Sequence, residues 1–120
     1  MQNNKGKNLV IDLTFDFALK VIKYVESLDK AHKYVIARQL LKAGTSIGAN
    51  VREAQNAESK PDFIHKLKIA AKEADETEYW LLLCKNSEGY EDCDEILKDC
   101  GSIIRVLSKI IASSKLRSTA

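Results

Sequence analysis

Apolar residues recur along this chain at alternating spacings of three and four, the repeat of an α-helix that buries one face. The clearest block begins at Ile36: at about 100° per residue, Ile36, Leu40, Ala43, Ile47, Val51 and Ala54 fall in one arc, with Arg38, Lys42, Thr45 and Arg52 opposite. Upstream, Phe17, Ala18, Val21, Tyr24, Val25 and Leu28 share a face, while Asp16, Lys20, Lys23 and Ser27 turn away from it. Downstream, Phe63, Leu67, Ala70, Ala74, Thr77, Leu81 and Cys84 make a bundle seam, and Ile96, Leu97, Cys100, Ile103, Ile104, Val106, Leu107, Ile110 and Ile111 make a broader one. The pattern predicts helices near 14–28, 34–57, 60–86 and 93–113. Short links favour antiparallel neighbours, so the expected fold is all-α, an antiparallel up-and-down four-helix bundle with no strand.

Local signals agree with these boundaries. Ser59 is placed to cap the third helix, with Pro61 in its first turn and Asp62 near its positive end. Gly89 supplies the last turn, and Asp92 with Glu95 resembles a capping box opening the fourth helix. Residues 1–120 are expected to form one domain, with flexible ends at 1–8, where Lys5 and Lys7 are available to an anionic partner, and at 114–120.

The flanks of the seams hold the less ordinary choices. Gly44 and Gly48 lie one turn apart inside the second helix, each costing about 1 kcal/mol relative to alanine. Either the helix is kinked there, or a neighbouring helix comes too close for larger side chains. On the other flank Ser46, Asn50 and Glu53 form a polar stripe, read either as a buried hydrogen-bond network fixing helix register or as a partner-binding strip. Phe15, Leu19 and Ile22 lie outside the first core arc and could meet another subunit. A second stripe, Ile69, Trp80 and Leu83, lies off the third seam. Either the 86–92 loop folds over Trp80, or this stripe is an oligomer interface, where tryptophan is enriched.

Composition narrows the class. One proline and five glycines suit a helix-rich fold and argue against an all-β one. No apolar run approaches the roughly 20 residues of a membrane helix, and the opening MQNNKGKN lacks a signal-peptide core, so a cytoplasmic protein without membrane contact is expected. The net charge of +2 conceals segregation: residues 1–60 carry ten Lys/Arg against six Asp/Glu, Glu73 to Asp99 carries ten acids against two bases, and the last twenty residues carry four bases and no acid.

Catalytic and metal chemistry is not legible. Cys84, Cys93 and Cys100 form no CxxC pair and lie far from His32 and His65, which leaves no zinc site; they read as small core residues. Gly44-Thr45-Ser46-Ile47-Gly48 lacks the lysine of a phosphate loop. The acids Glu73, Asp75, Glu76 and Glu78 lack the Glu-x-x-His pairs of a di-metal bundle. No cofactor, metal or catalytic residue is expected.

One run is distinctive: Ser46-Ile47-Gly48-Ala49-Asn50-Val51-Arg52-Glu53-Ala54, then Ser59-Lys60 and Asp62-Phe63-Ile64, then Leu67-x-Ile69-Ala70 and Glu76-x-Glu78-x-Trp80-Leu81. Over residues 15–90 it resembles the bacterial four-helix-bundle family named for the 23S rRNA intervening sequence. The departures are Gly48, where the family usually has proline, and Ala54, where it usually has glycine; both leave the helix intact. The resemblance implies a homo-oligomer, a ring-like pentamer similar also to the accessory protein of diversity-generating retroelements, which works with a reverse transcriptase and nucleic acid. The family name records where some of its genes sit, not an activity.

Together these features read as a non-enzymatic, oligomeric bundle binding RNA or another nucleic acid through Arg38, Lys42 and Arg52, with Lys20 and Lys23 as neighbouring cations. With no aromatic residue interleaving the stripe, stacking on bases is not expected and sequence preference should be weak. The alternative is a protein-interaction scaffold or accessory subunit that meets a protein partner through its acidic Glu73–Asp99 region.

Overall fold

The computed structural model describes residues 5–119. Four helices account for nearly all of them: α1 (Lys5–Lys30), α2 (Tyr34–Gln55), α3 (Lys60–Lys85) and α4 (Asp94–Thr119), with no strand among the described residues. Each helix packs on its neighbours in sequence and α1 closes the ring on α4, while the diagonal pairs stay apart among the described residues. This is an up-down-up-down antiparallel bundle, drawn out to 51 × 22 × 21 Å because its helices are 22 to 26 residues long.

Helix α1 begins at Lys5 rather than near Thr14. The reason is a seam longer than its obvious apolar members: Val10, Thr14, Phe17, Val21, Tyr24 and Leu28, at alternating spacings of four and three, are all buried. Thr14 hides its polarity inside the helix, its hydroxyl donating to the Val10 carbonyl at 2.8 Å, so its methyl group can serve as core. Of the ends expected to be flexible, Met1–Asn4 and Ala120 lie outside the described residues. The backbone between Lys5 and Asn8 and between Ser114 and Thr119 is helical.

The link from α1 to α2 takes three residues. His32 sits in the left-handed region at φ 64°, its N–H donates to the Asp29 carbonyl at 3.0 Å, and the Lys33 N–H donates to the Leu28 carbonyl at 2.9 Å. Those two bonds are the pair that closes a helix end with a left-handed residue just beyond it. At the start of α3, Ser59 accepts from the Asp62 N–H at 3.2 Å and Asp62 accepts from the Glu58 N–H at 3.1 Å, so both sides of the turn are tied. The capping box expected from Asp92 and Glu95 does not form. Asp92 accepts from the Asp94 N–H at 3.2 Å, and it stands one residue before the cap position because α4 starts at Asp94 and its first helical bond, from the Leu97 N–H, goes to the Cys93 carbonyl.

The α1–α2 contact depends on the two glycines, which are buried and face α1. A Cβ on Gly44 would lie 2.9 Å from both γ carbons of Val21; on Gly48 it would lie 3.3 Å from the Thr14 hydroxyl and 3.4 Å from the Thr14 backbone oxygen. Valine is short and stiff at χ1 and cannot swing aside, so a methyl group at position 44 has to push the two helices apart.

Gly44→Ala should therefore lower stability by roughly 1 to 3 kcal/mol through overpacking, even though the helix gains about 1 kcal/mol of propensity. Gly48→Ala should be close to neutral, since its neighbour needs to give only slightly. Urea unfolding followed by circular dichroism checks both. A stabilised Gly44→Ala would mean that the helices are free to separate there.

Candidate nucleic-acid interface

Arg38, Lys42 and Arg52 all stand exposed on the outer face of α2, within about 80° of one another by helical phase. None of them makes a salt bridge among the described residues. Other cations of the bundle do: Lys20 with Asp99 at 2.7 Å and Glu95 at 3.4 Å, Lys66 with Glu53 at 3.1 Å, and Lys85 with Asp94 at 3.3 Å. Those pairs all join one helix to another, whereas Arg38, Lys42 and Arg52 face away from the neighbouring helices and also have no acid three or four positions away on their own.

Lys20 and Lys23 are placed apart from these three. They line a groove of about 350 Å³ between α1 and α4 together with Tyr24, Glu91, Asp92 and Glu95. The hydrogen bond to Asp99 holds the Lys20 ammonium above its ordinary pKa. Sequence reading groups both lysines with α2 by charge; their position on α1 turns them towards the acidic start of α4.

Two features escape sequence reading. Tyr34 is four residues before Arg38 and lies on the same side of α2, 49% exposed, so an aromatic flanks the stripe at its start although none lies between its cations. Its ring stacks on His32, with centroids 5.6 Å apart and planes at 24°. Next to them, the Lys33 ammonium lies 4.8 Å from the centre of the Tyr90 ring. The spacing that selects Arg38 and Lys42 also selects Tyr34 once the stripe is continued one turn back. The second feature is a pair of like charges: Lys68 of α3 lies beside Lys115 of α4 and lowers its pKa. Only the antiparallel packing of α3 and α4 brings these two together.

Ser46 and Asn50 are half-buried and spend their hydrogen bonds on their own helix, to the Lys42 carbonyl at 2.6 Å and the Ser46 carbonyl at 2.8 Å. Glu53 reaches α3 through Lys66. Ile69, Trp80 and Leu83 are also half-buried. Trp80 packs against the core, its ring N–H donating to the Glu76 carboxylate at 3.3 Å and its plane meeting Tyr79 edge-on. The larger exposed apolar surface is on α1 and α2, where Phe15 is 53% and Leu19 52% exposed, with Ile22 and Leu41 also open.

The three cysteines are buried and free. Cys93 and Cys100 donate weakly to the Leu81 and Ala74 carbonyls, both at 3.4 Å. Burial pushes the Cys100 thiol up to about 12 and raises Cys84 and Cys93 as well. Tyr24, whose hydroxyl donates to the Glu91 carbonyl at 2.7 Å, is raised by the same desolvation. These are thiols and a phenol held neutral, a poor source of nucleophiles.

A model of the 23S rRNA-intervening sequence protein family matches residues 6–109. The chain belongs to that family. Among solved structures, it is similar to a protein of unknown function from the S23 ribosomal protein family of Bacteroides thetaiotaomicron VPI-5482, whose crystal structure was determined at 1.70 Å. The two are 42% identical, the match covers 89% of this chain and 98% of that one, and the TM-score is 0.85. No curated protein matches. The intervening-sequence family thus accounts for the four-helix architecture. Among the described residues no helix is long and apolar enough to cross a membrane.

Burial of the thiols has a direct consequence. At pH 8 a maleimide or disulfide reagent should leave Cys84, Cys93 and Cys100 unmodified in the folded protein and label all of them in denaturant. Mass spectrometry reads the outcome, and rapid labelling of any one in the folded state would show that its end of the bundle opens.

Proposed function

We propose that this member of the 23S rRNA-intervening sequence family is a non-enzymatic bundle that binds nucleic acid through the outer face of α2. The observation that carries the reading is the charge of one helix face: Arg38, Lys42 and Arg52 are exposed on the same side of α2 with no carboxylate partner among the described residues, and the one acid of α2, Glu53, is paired with Lys66. Exposed cations in a row, with the nearby acids committed elsewhere, suit a polyanion whose charges repeat at short intervals.

Self-association belongs to the same reading. Phe15, Leu19 and Ile22 are exposed apolar residues on the outer side of α1, and Leu41 of α2 is exposed as well; surface of this kind marks contact sites in soluble proteins. Arg52 shares a small groove with Phe15 and Ala49, so a second copy seated on this apolar surface would repeat the cations along its edge. A pentameric ring, as the family resemblance implies, would multiply them further.

Each phosphate contacted contributes roughly 0.7 to 0.9 to the slope of log affinity against log salt. Three cations therefore predict a slope of roughly 2 to 3 per protomer, with tight binding at low salt and weak binding near physiological ionic strength. Arg38→Glu combined with Lys42→Glu should abolish most of it. Lys23→Glu, which changes net charge equally per site but lies off the stripe, should leave the slope as it was. An RNA affinity series in salt decides this; unchanged affinity in the double variant would favour the protein-scaffold reading through the acidic Glu73–Asp99 region.

The association has its own check. Light scattering of the wild type should show an oligomer, Leu19→Glu should break it up, and Trp80→Ala should leave it assembled because Trp80 already packs against its own core. A monomer at micromolar concentration would remove the idea.

A further inference from the structure

The aromatic pair at the start of α2 deepens the nucleic-acid reading and rests on it. We propose that the stacked rings of His32 and Tyr34 are a platform for an unpaired base, so that the ligand of this face is a single-stranded nucleic acid. Tyr34 stands one turn before Arg38 on the same side of α2, and from it the line Tyr34, Arg38, Lys42, Arg52 runs for roughly 27 Å at ~1.5 Å per residue. Both rings are exposed and nearly parallel, 5.6 Å apart at 24°. Beside them lies a shallow cavity of about 280 Å³ lined by His32, Lys33, Tyr34, Val35, Ile36 and Tyr90. Aromatic faces next to a track of cations are how proteins hold single strands, bases stacking while phosphates follow the charges. A duplex offers such a platform no free base face.

The backbone supplies a second observation. His32 occupies the left-handed position that closes α1, with φ 64°, where glycine is the usual residue because it has no side chain to clash. A side chain is kept at a steric cost, and it is the ring that stacks on Tyr34. Charge gives the strand a direction. At this end of the bundle Glu91 and Asp92, which no cation pairs among the described residues, line the α1/α4 groove, so a polyanion stacked on Tyr34 is repelled from that side and follows α2.

The test is fluorescence anisotropy at low salt with four labelled probes of about 12 nucleotides, a length within the range bound by single-strand modules: a single-stranded RNA, the same sequence as DNA, its duplex, and an abasic DNA strand. The wild type should bind the single strands more tightly than the duplex or the abasic strand. His32→Gly with Tyr34→Ala should weaken the single strands by roughly tenfold or more, and leave the salt slope and the affinity for the abasic strand unchanged. A difference between the RNA and DNA probes tells which backbone the face prefers. His32→Gly alone should melt at or above the wild-type temperature, because it removes the left-handed side chain, which separates loss of binding from loss of fold. Equal binding of single and abasic strands by the wild type, or unaltered single-strand affinity in the aromatic variant, overturns the platform while leaving the cationic stripe in place. Failure of the wild type to bind any of the four overturns the reading of α2 itself, and the platform with it.

Discussion

The bundle depends on the close approach of α1 to α2, where Gly44 lies under Val21 and Gly48 under Thr14 with no room for a methyl group at the first position. The rest of the arrangement is built on it. Because α2 sits this close to α1, the arc from Leu40 to Ala54 turns inward to meet α3 as well, and Ala70 and Ala74 let α3 approach in turn. The core is filled by branched aliphatics, with Phe17 and Tyr24 as its buried aromatics. Small residues at helix contacts trade helix propensity for close packing, and here the gain is that a long, thin bundle keeps one register along its length.

The same tight pair decides what the outside can do. With the glycine side of α2 turned to α1 and its aliphatic side turned to the core, the remaining arc is left to Arg38, Lys42 and Arg52, and to Tyr34 at its start. Elsewhere the bundle uses cations to join helices, as Lys20 does from α1 to α4 and Lys66 from α3 to α2. Exposed pairs of this sort contribute little to stability. Their larger effect is on the electrostatic surface: acids paired in this way no longer oppose a polyanion, and α2 keeps an uncompensated positive face.

The polar stripe of α2 shows how a pattern can be read correctly in position and still be ambiguous in role. Ser46, Asn50 and Glu53 do lie along one flank, yet Ser46 and Asn50 turn back to their own helix's carbonyls, a choice open to any serine or asparagine within a helix. Glu53 alone of the three crosses to a neighbour. Helical phase gives the direction of a side chain from its own axis. It does not say whether the side chain will satisfy itself locally or reach across.

The sequence by itself determined the four helices, their antiparallel order and almost all of their buried residues, because burial in a bundle repeats with the helix and that period is visible in one dimension. It also placed Arg38, Lys42 and Arg52 on one face, since all three belong to the same helix. The start of α1 was hidden because Thr14 carries a hydroxyl and breaks the apolar pattern, although the hydroxyl is satisfied by the Val10 carbonyl and the position is core. What only the tertiary structure decided were relations between helices: that Lys20 and Lys23 face the acids of α4 instead of joining α2, that Lys68 meets Lys115, and that Gly44 lies against Val21. The stacking of His32 on Tyr34 depended on the backbone taking the left-handed turn at His32, a conformation available to histidine but not announced by it. Periodicity fixes a residue's direction about its own axis, and the contacts that make a surface require the positions of two axes at once.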